Sequence, residues 1–474
     1  MIAQVLNRDT VLQHMLEVRD SLKNPDEARR GDLPPGAEGI VGADYEEALG
    51  ALDSAIKREQ LASSGQLAVL GPGVPSGRRS TPLDDLAFIS HDPIVSLFQS
   101  ALEMALEAGK ADRGVNTPRE EDDGRRGDET PVVTDQTVEG VSDIRDDSRR
   151  ILDRFSITDP NWVSSLFAMG VRMFRKRRAF PDQRPQPKAI ANNARVIIVA
   201  DWATGVPRAR KVARQMRASI EEGLAAGRQC HVVHLGDVYY SGFEAEYRKR
   251  FLRYWPVREA EEREVGSWCL NGNHDMYTGG HAYYDFLLAD GRFRHWQGLS
   301  SFMECLNDSW RIIGLDTAWD DDGLKDPQAD WVKASVGGDD RRKLLLLSHH
   351  QLFSAHENSA DRGKVLRQKL GFLLGDARLR GWFWGHEHRC AVFEPNVDVP
   401  WAACIGHGGV PSYMFLDDDD DLVAPARYEY RKAIHSGLER WALMGYSILD
   451  FESDTIDVTF TDEDGERHFH DVIR

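Results

Sequence analysis

Six short apolar runs constrain this chain more than any other feature, because each ends in a residue able to bind a metal ion or move a proton. They read RVIIVAD (195–201), HVVHLGD (231–237), SWCLNGN (267–273), WRIIGLD (310–316), KLLLLSHH (343–350) and GWFWGHEH (381–388). Segments of helical pattern separate them, at 208–226, 243–255, 280–289, 326–336 and 362–374. Strands alternating with helices predict a layered α/β fold. The C-terminal part changes character. GYSILDFE (445–452) and TIDVTFTDEDGERHFHDVIR (455–474) alternate as strands, with DEDG as a hairpin turn. A second sheet closing the domain as a sandwich with outer helices accommodates both halves.

The polar residues at the strand ends are Asp201, Asp237, the trio Asn273, His274 and Asp275, then Asp316, His349 with His350, and His386 with His388. In open α/β sheets, sites form where the carboxyl ends of strands converge, so residues far apart in the chain can meet in one crevice. Each signal alone is weak, since GD after a strand is often only a turn and a lone histidine is usually structural. Together, in this order, they point to one site. Carboxylate, amide oxygen and imidazole form a hard-to-borderline ligand set suited to iron, manganese or zinc, and no thiolate is among them. A carboxylate such as Asp237 can bridge two cations, and two cations about 3.5–4 Å apart suit phosphoryl transfer. His386 and His388 would share a face on a strand; in a tight turn they could grip different metals.

With these blocks in hand, the chain resembles the calcineurin-like metallophosphoesterase superfamily, whose motifs run D, G-D, G-N-H-D, H and G-H-x-H over about 190 residues here. In most such enzymes a histidine follows the first aspartate by two residues, and that position is Ala203. The purple acid phosphatase branch also lacks this histidine and reads G-D-x-x-Y in the second block, its tyrosine binding the first metal. GDVYY places Tyr240 three residues after Asp237, and DWATGVP, the LDT at 315–317 and IGHGGVPSYMF resemble the same branch. The resemblance implies a four-layer α-β-β-α sandwich, two mixed sheets flanked by helices. It implies Asp201, Asp237, Tyr240 and His388 for metal one, and Asp237, Asn273, His349 and His386 for metal two. His274 would be the acid/base residue at the leaving group, and His356 a further histidine near substrate. A phenolate ligand favours Fe3+ in site one, with Fe2+, Mn2+ or Zn2+ in site two.

The function so implied is hydrolysis of a small phosphate monoester by in-line attack of a metal-bridging hydroxide. Two other readings compete: a phosphodiesterase of cyclic nucleotides or nucleic acid, and a metal-binding interaction module with little turnover.

The remainder of the 474 residues reads as accessory. Residues 1–110 form a helical accessory domain: Val11, Met15, Val18, Leu22 and Tyr45, Leu49, Leu52, Ile56 recur at i, i+4, i+7, i+11, and Asp92 with Pro93 opens a third helix. No catalytic constellation lies there; it is the place for a protein partner. Residues 111–147 are dense in charge and read as a disordered linker. Residues 148–190 form a helical connector with Trp162, Leu166, Met173 and Phe174 among its apolar residues. It ends in the basic cluster Arg172, Arg175, Lys176, Arg177, Arg178. Packing on a neighbouring domain is favoured over contact of 162–178 with a membrane surface or polyanion. Residues 191–474 make the catalytic domain.

A net charge of −18 argues against bulk attraction to nucleic acid or anionic membrane. The acidic run LDDDDDL at 416–422 reads as a solvated loop; at the rim of the site it would repel polyanions. The start of the chain shows no basic and apolar signal pattern, and no stretch approaches the roughly 20 residues of a spanning helix. Five cysteines without C-x-x-C spacing read as buried free thiols in a reducing cytosol. The expectation is a cytoplasmic protein, unlike the typically secreted purple acid phosphatases.

Overall fold

The computed structural model describes residues 8–24, 37, 39–63, 89–112, 160–181, 184–354, 363–412, 426–436 and 439–474. Most of the expected linker, the acidic run at 416–422 and His356 lie outside them. The chain divides into two compact units, one formed by the N-terminal helices to Met173 and one built chiefly on residues 174–434 and 440–474.

The helical unit holds α1 (Arg8–Leu22), α2 (Gly42–Ser63), α3 (Pro93–Asp112) and α4 (Pro160–Arg175) through Met173. In α1 the expected stripe Val11, Met15, Val18 and Leu22 is fully buried. In α2, Tyr45, Leu52 and Ile56 are buried, while Ala48 takes the inward place expected of Leu49. Asp92 caps α3, accepting the N–H groups of Ile94 at 2.9 Å and Val95 at 3.3 Å. The helix expected as a connector packs into this unit. Its buried face is Val163, Leu166, Phe167 and Val171; Phe167 meets Phe98 with ring centroids 5.7 Å apart. Ser165 bonds Tyr45 at 3.2 Å. An apolar helix face must be covered, and here α2 and α3 cover it.

The larger unit is two mixed sheets. Among the described residues the first has eight strands: β1 (Lys188–Ala189), β5 (Met303–Leu306), β6 (Trp310–Gly314), β7 (Lys343–Leu347), β8 (Leu379–Trp384), β10 (Ala402–Ile405), β9 (Cys390–Phe393) and β11 (Ala426–Glu429), in that spatial order. The second has six. Parallel strands β2 (Arg195–Val199), β3 (Cys230–His234) and β4 (Gly266–Cys269) continue into the antiparallel set β12 (Gly445–Glu452), β13 (Thr455–Asp462) and β14 (Arg467–Ile473), with β12 beside β2. The DEDG turn joins β13 to β14, with Gly465 at φ 85°.

Side-chain alternation explains why KLLLL needs no polar position. Leu345 and Leu347 enter the core between the sheets with Val196, Ile198, Val233, Trp268, Phe383 and Leu449. Leu344 and Leu346 face the other way, toward Trp331 of α6 (Gln328–Ser335) and Leu366 and Leu370 of α7 (Lys364–Leu370). A strand covered on both faces reads as a continuous apolar run. Over the second sheet, α5 (Pro207–Ala225) packs on β2, β3 and β12. Pro207 opens it, and Gly227, at φ 72°, ends it while Arg228 N donates to Gly223 O.

Part of the basic cluster is bound within the larger unit. Arg177 donates to Trp319 O at 2.7 Å, Trp319 Nε1 donates to Arg178 O at 2.9 Å, and Arg178 Nε bonds Asp285 at 3.0 Å. No helix among the described residues is long and apolar enough to cross a membrane. All five cysteines are free and buried.

Candidate metal centre

The parallel strands of both sheets deliver their C-terminal ends to one crevice. β2 leads to Asp201, β3 to Asp237, β4 to Asn273 and His274, β7 to His349 and β8 to His386 and His388. The chain must turn sharply as it leaves these strands. Asp201 (φ 54°), Asp237 (φ 75°), His386 (φ 70°) and His388 (φ 49°) all lie in the left-handed region. Each costs about 1 kcal/mol or more for a residue with a side chain, which is tolerated where the surroundings enforce it. Gly236 (φ 112°) and Gly272 have no room for a side chain: a Cβ at Gly236 would lie 2.5 Å from Gly272 N, and one at Gly272 would strike Asp237 Oδ1.

One cluster gathers Asp201, Asp237 and His388, whose ligand atoms lie within 4.8 Å of one another. The hydroxyl of Tyr239 touches all three, at 3.0 Å from Asp201 Oδ1, 3.1 Å from Asp237 Oδ2 and 2.9 Å from His388 Nε2. The tyrosine expected there was Tyr240. Val238 forms a parallel β-bridge with Ala203, and Tyr239 N donates to Ala203 O at 3.4 Å. The chain turns here, with Asp237 at φ 75°, and the Tyr239 hydroxyl comes back to 3.1 Å from Asp237 Oδ2. Tyr240 is buried with its ring 4.9 Å from the Arg250 guanidinium, and its N–H donates to Glu246 Oε1 at 2.7 Å. Glu246 also accepts from Ser241 N at 3.2 Å and Phe243 N at 2.9 Å, and Arg250 donates to Tyr239 O. These two charged side chains hold the loop that carries Tyr239.

A second cluster lies against the first. Asn273 Oδ1 stands 3.0 Å from His349 Nε2 and 3.0 Å from His386 Nδ1, and His349 Nε2 is 3.4 Å from Asp237 Oδ2. The Asn273 amide nitrogen donates to Tyr277 at 2.6 Å, which turns Oδ1 inward. His349 Nδ1 donates to Leu235 O at 3.1 Å, so in the neutral ring Nε2 carries a lone pair. That lone pair faces two oxygen acceptors. Such convergence of acceptors is favourable with a cation between them.

Electrostatics agree with that fit. Burial pushes the Asp201 carboxyl up to about 7, against the hydrogen bonds from His386 N–H and Tyr239. Burial, with neighbouring carboxylates, also raises Asp237 and Asp275. Burial lowers His388 to about 4, keeping the imidazole neutral. The Tyr239 phenol is held far above its usual range by burial and by the Asp201 and Asp237 charges. Carboxyls whose charge burial disfavours, neutral imidazoles and a phenol would all gain from bound cations, which favour the deprotonated ligand forms.

His274 is fully buried beside Tyr239, ring centroids 4.5 Å apart. Its N–H donates to Asp237 Oδ1 at 2.9 Å, and its Nδ1 donates to Tyr240 O at 2.6 Å. With Nδ1 so occupied, proton exchange falls to Nε2. Asp275 orders the crossing of two loops: its Oδ2 accepts Asp237 N at 2.8 Å and Gly272 N at 2.6 Å, and its Oδ1 accepts the Tyr247 hydroxyl. Asp316, another strand-end carboxylate, does not join either cluster; it accepts Trp319 N at 3.0 Å and the Tyr284 hydroxyl at 2.9 Å. Tyr239, Glu246 and Arg250 were not singled out by the sequence reading; the doubled tyrosine of GDVYY was the one available signal for the first.

Residues 194–390 match the family model of the calcineurin-like phosphoesterases. No curated protein sequence matches the chain. Among solved structures, the similar ones include GAP50, the anchor in the inner membrane complex of Plasmodium. It is 12% identical, with 60% of this chain and 89% of that one covered, at a TM-score of 0.43. A dimetal phosphatase from Danio rerio is 12% identical over 59% of this chain and 98% of its own, at 0.37. Vps29 from Chaetomium thermophilum is 12% identical over 59% and 98%, at 0.27. Likenesses this distant do not bear on activity.

Proposed function

We propose, from a calcineurin-like phosphoesterase domain over residues 194–390 as premise, that the protein is a binuclear metal-dependent phosphoesterase acting on a small phosphate monoester. The reading rests on one observation above the others: Asp237 lies in both clusters, its Oδ2 3.1 Å from the Tyr239 hydroxyl and 3.4 Å from His349 Nε2. Asp201, Asp237, Tyr239 and His388 would hold one cation, and Asp237, Asn273, His349 and His386 the other. Two cations so held would supply Lewis acidity toward the phosphoryl oxygens and activate water near neutral pH.

The remaining work falls to the chain's own groups. His274, with Nδ1 committed to Tyr240 O, would present Nε2 to the ester; as the imidazolium it would hand the Nε2 proton to the leaving oxygen, and the neutral ring would then take a proton back from water. Asn273, oriented by Tyr277, would keep its carbonyl oxygen inward without adding charge. Asp275 and Glu246 would keep the two loops in register so that these groups stay where the ester binds.

The test is to load the purified protein with iron, manganese or zinc in turn, count metals per chain, and compare rates on an aryl phosphomonoester and the matching diester. Two metals with monoester preference support the reading. Diester preference makes the protein a phosphodiesterase, and two bound metals with neither rate leave a metal-binding interaction module.

A further inference from the structure

His349 and His386 have a third histidine beside them. His350 offers a nitrogen within 4.8 Å of theirs, and its ring centroid lies 4.7 Å from that of His386 and 4.9 Å from that of His349. By proximity alone it would be a further metal ligand. Its hydrogen bonds say otherwise.

His350 Nδ1 is 3.0 Å from Thr317 Oγ1, and the same oxygen accepts the His350 backbone N–H at 3.0 Å. Thr317 is fully buried. A buried hydroxyl that keeps its proton undonated costs about 1–3 kcal/mol, and of its two partners only Nδ1 can accept. The hydroxyl therefore donates to Nδ1, and the neutral ring carries its proton on Nε2. The His350 ring is buried, and its Nε2 lies 3.9 Å from Oδ1 of Asp321, whose side chain is 68% exposed. An N–H cannot coordinate a cation. It can donate to an oxygen anion.

We propose that His350 contacts substrate: its Nε2–H donates to a phosphoryl oxygen of the ester at the edge formed by His349 and His386, and Thr317 is the positioning residue that fixes the tautomer. The proposal rests on the phosphoesterase reading for its substrate class, and adds a residue that the metal set does not contain.

Calorimetry with inorganic phosphate on the manganese-loaded full chain tests it without requiring turnover, beside metal counts and KM and kcat on an aryl phosphate. His350→Leu should keep two metals while phosphate affinity falls and KM rises, each by about tenfold or more, the loss of one hydrogen bond to a charged group. His350→Gln restores a donor near the Nε2 position and should recover part of that affinity. Thr317→Val should shift both in the same direction and Thr317→Ser should not, and these variants decide the matter if His350→Leu does not fold. Loss of a metal from His350→Leu or His350→Gln would make His350 a ligand and overturn the proposal; unchanged phosphate affinity and KM would make it a bystander. If the wild type holds two metals yet hydrolyses no ester, the phosphoesterase reading fails, while the phosphate affinities still decide the role of His350.

Discussion

The hydroxyl of Tyr239 lies 2.9 Å from Nε2 of His388, a contact that ties the loop after β3 to the turn after β8. The same hydroxyl reaches Asp201 at 3.0 Å. Ala203, where a histidine is missing, contributes a backbone carbonyl to Tyr239 N. Iron-loaded protein should show a tyrosinate-to-ferric absorption band, and Tyr239→Phe should lose it and weaken the first site by about tenfold or more. Tyr240→Phe should keep both band and metal. Visible spectra with metal analysis of the two variants check this; a band lost only in Tyr240→Phe would return the ligand role to the residue first expected.

Asp237→Asn removes the charge shared by the clusters. Turnover should fall about a thousandfold or more, since several kcal/mol of charge stabilisation depend on both cations being held. With metals chelated, the same variant should unfold at a higher temperature than wild type at neutral pH, because the buried carboxylates are then uncompensated. A folded-state carboxyl raised to about 7, as in Asp201, keeps its proton where the unfolded chain has released it. Metal-free stability from this group is thus lost as pH rises from about 4 to 7. Calorimetric melting of both chelated proteins across that range reads the difference.

His231 acts in the opposite direction. It is buried between Trp268 and Trp296, and burial lowers it to about 3. The unfolded chain takes up this proton near 6.5 and the folded one does not, so each pH unit lost between about 6.5 and 3 costs up to about 1.4 kcal/mol. His231→Leu should flatten the fall of stability with acid over that window. Denaturant melts at pH 7.5, 6 and 4.5 measure it; an unchanged slope would remove His231 from the account.

Glu246→Gln should loosen the loop of Tyr239. The carboxylate accepts from three backbone N–H groups, at Tyr240, Ser241 and Phe243, and an amide cannot accept three while presenting its own N–H. A loss of about 1–3 kcal/mol is expected, seen as a lower melting temperature and as a shift or weakening of the ferric band.

Gly272→Ala should abolish metal binding, because its Cβ would overlap Asp237 Oδ1 and lie 2.7 Å from His349 Cε1. Metal counts on the folded variant decide it; two metals retained would mean that the loop yields.

Much of this could be read before any coordinates. The runs RVIIVAD, HVVHLGD, KLLLLSHH and GWFWGHEH are strands, and their terminal residues do converge, because parallel strands in a sheet bring their carboxyl ends to one edge. The stripe Val11, Met15, Val18, Leu22 and the cap at Asp92 followed from local periodicity and chemistry. Tyr240 against Tyr239 could not be settled that way. Which hydroxyl comes to Asp201 and His388 depends on how the loop after β3 meets Ala203 and the turn after β8, contacts between residues 35 and 149 apart that no local pattern carries. Glu246, Arg250 and Thr317 act through backbone atoms of distant loops, and a sequence gives side chains in order but not the carbonyls and N–H groups they will meet. The packing of the connector helix was legible in its apolar face, but its partners Phe98 and Tyr45 were not.

The crevice is built from both sheets, with Asp201, Asp237 and Asn273 brought by one and His349, His386 and His388 by the other. Cations held among them would act as a clasp between the two layers, added to the apolar core and to hydrogen bonds such as Trp401 Nε1 to Asp471 that already join them. Opening the sandwich would then require releasing the ions, as opening a cross-linked pair requires breaking the link. Whatever controls metal supply would also set how long this domain survives unfolding, and an unloaded copy would be the first to open.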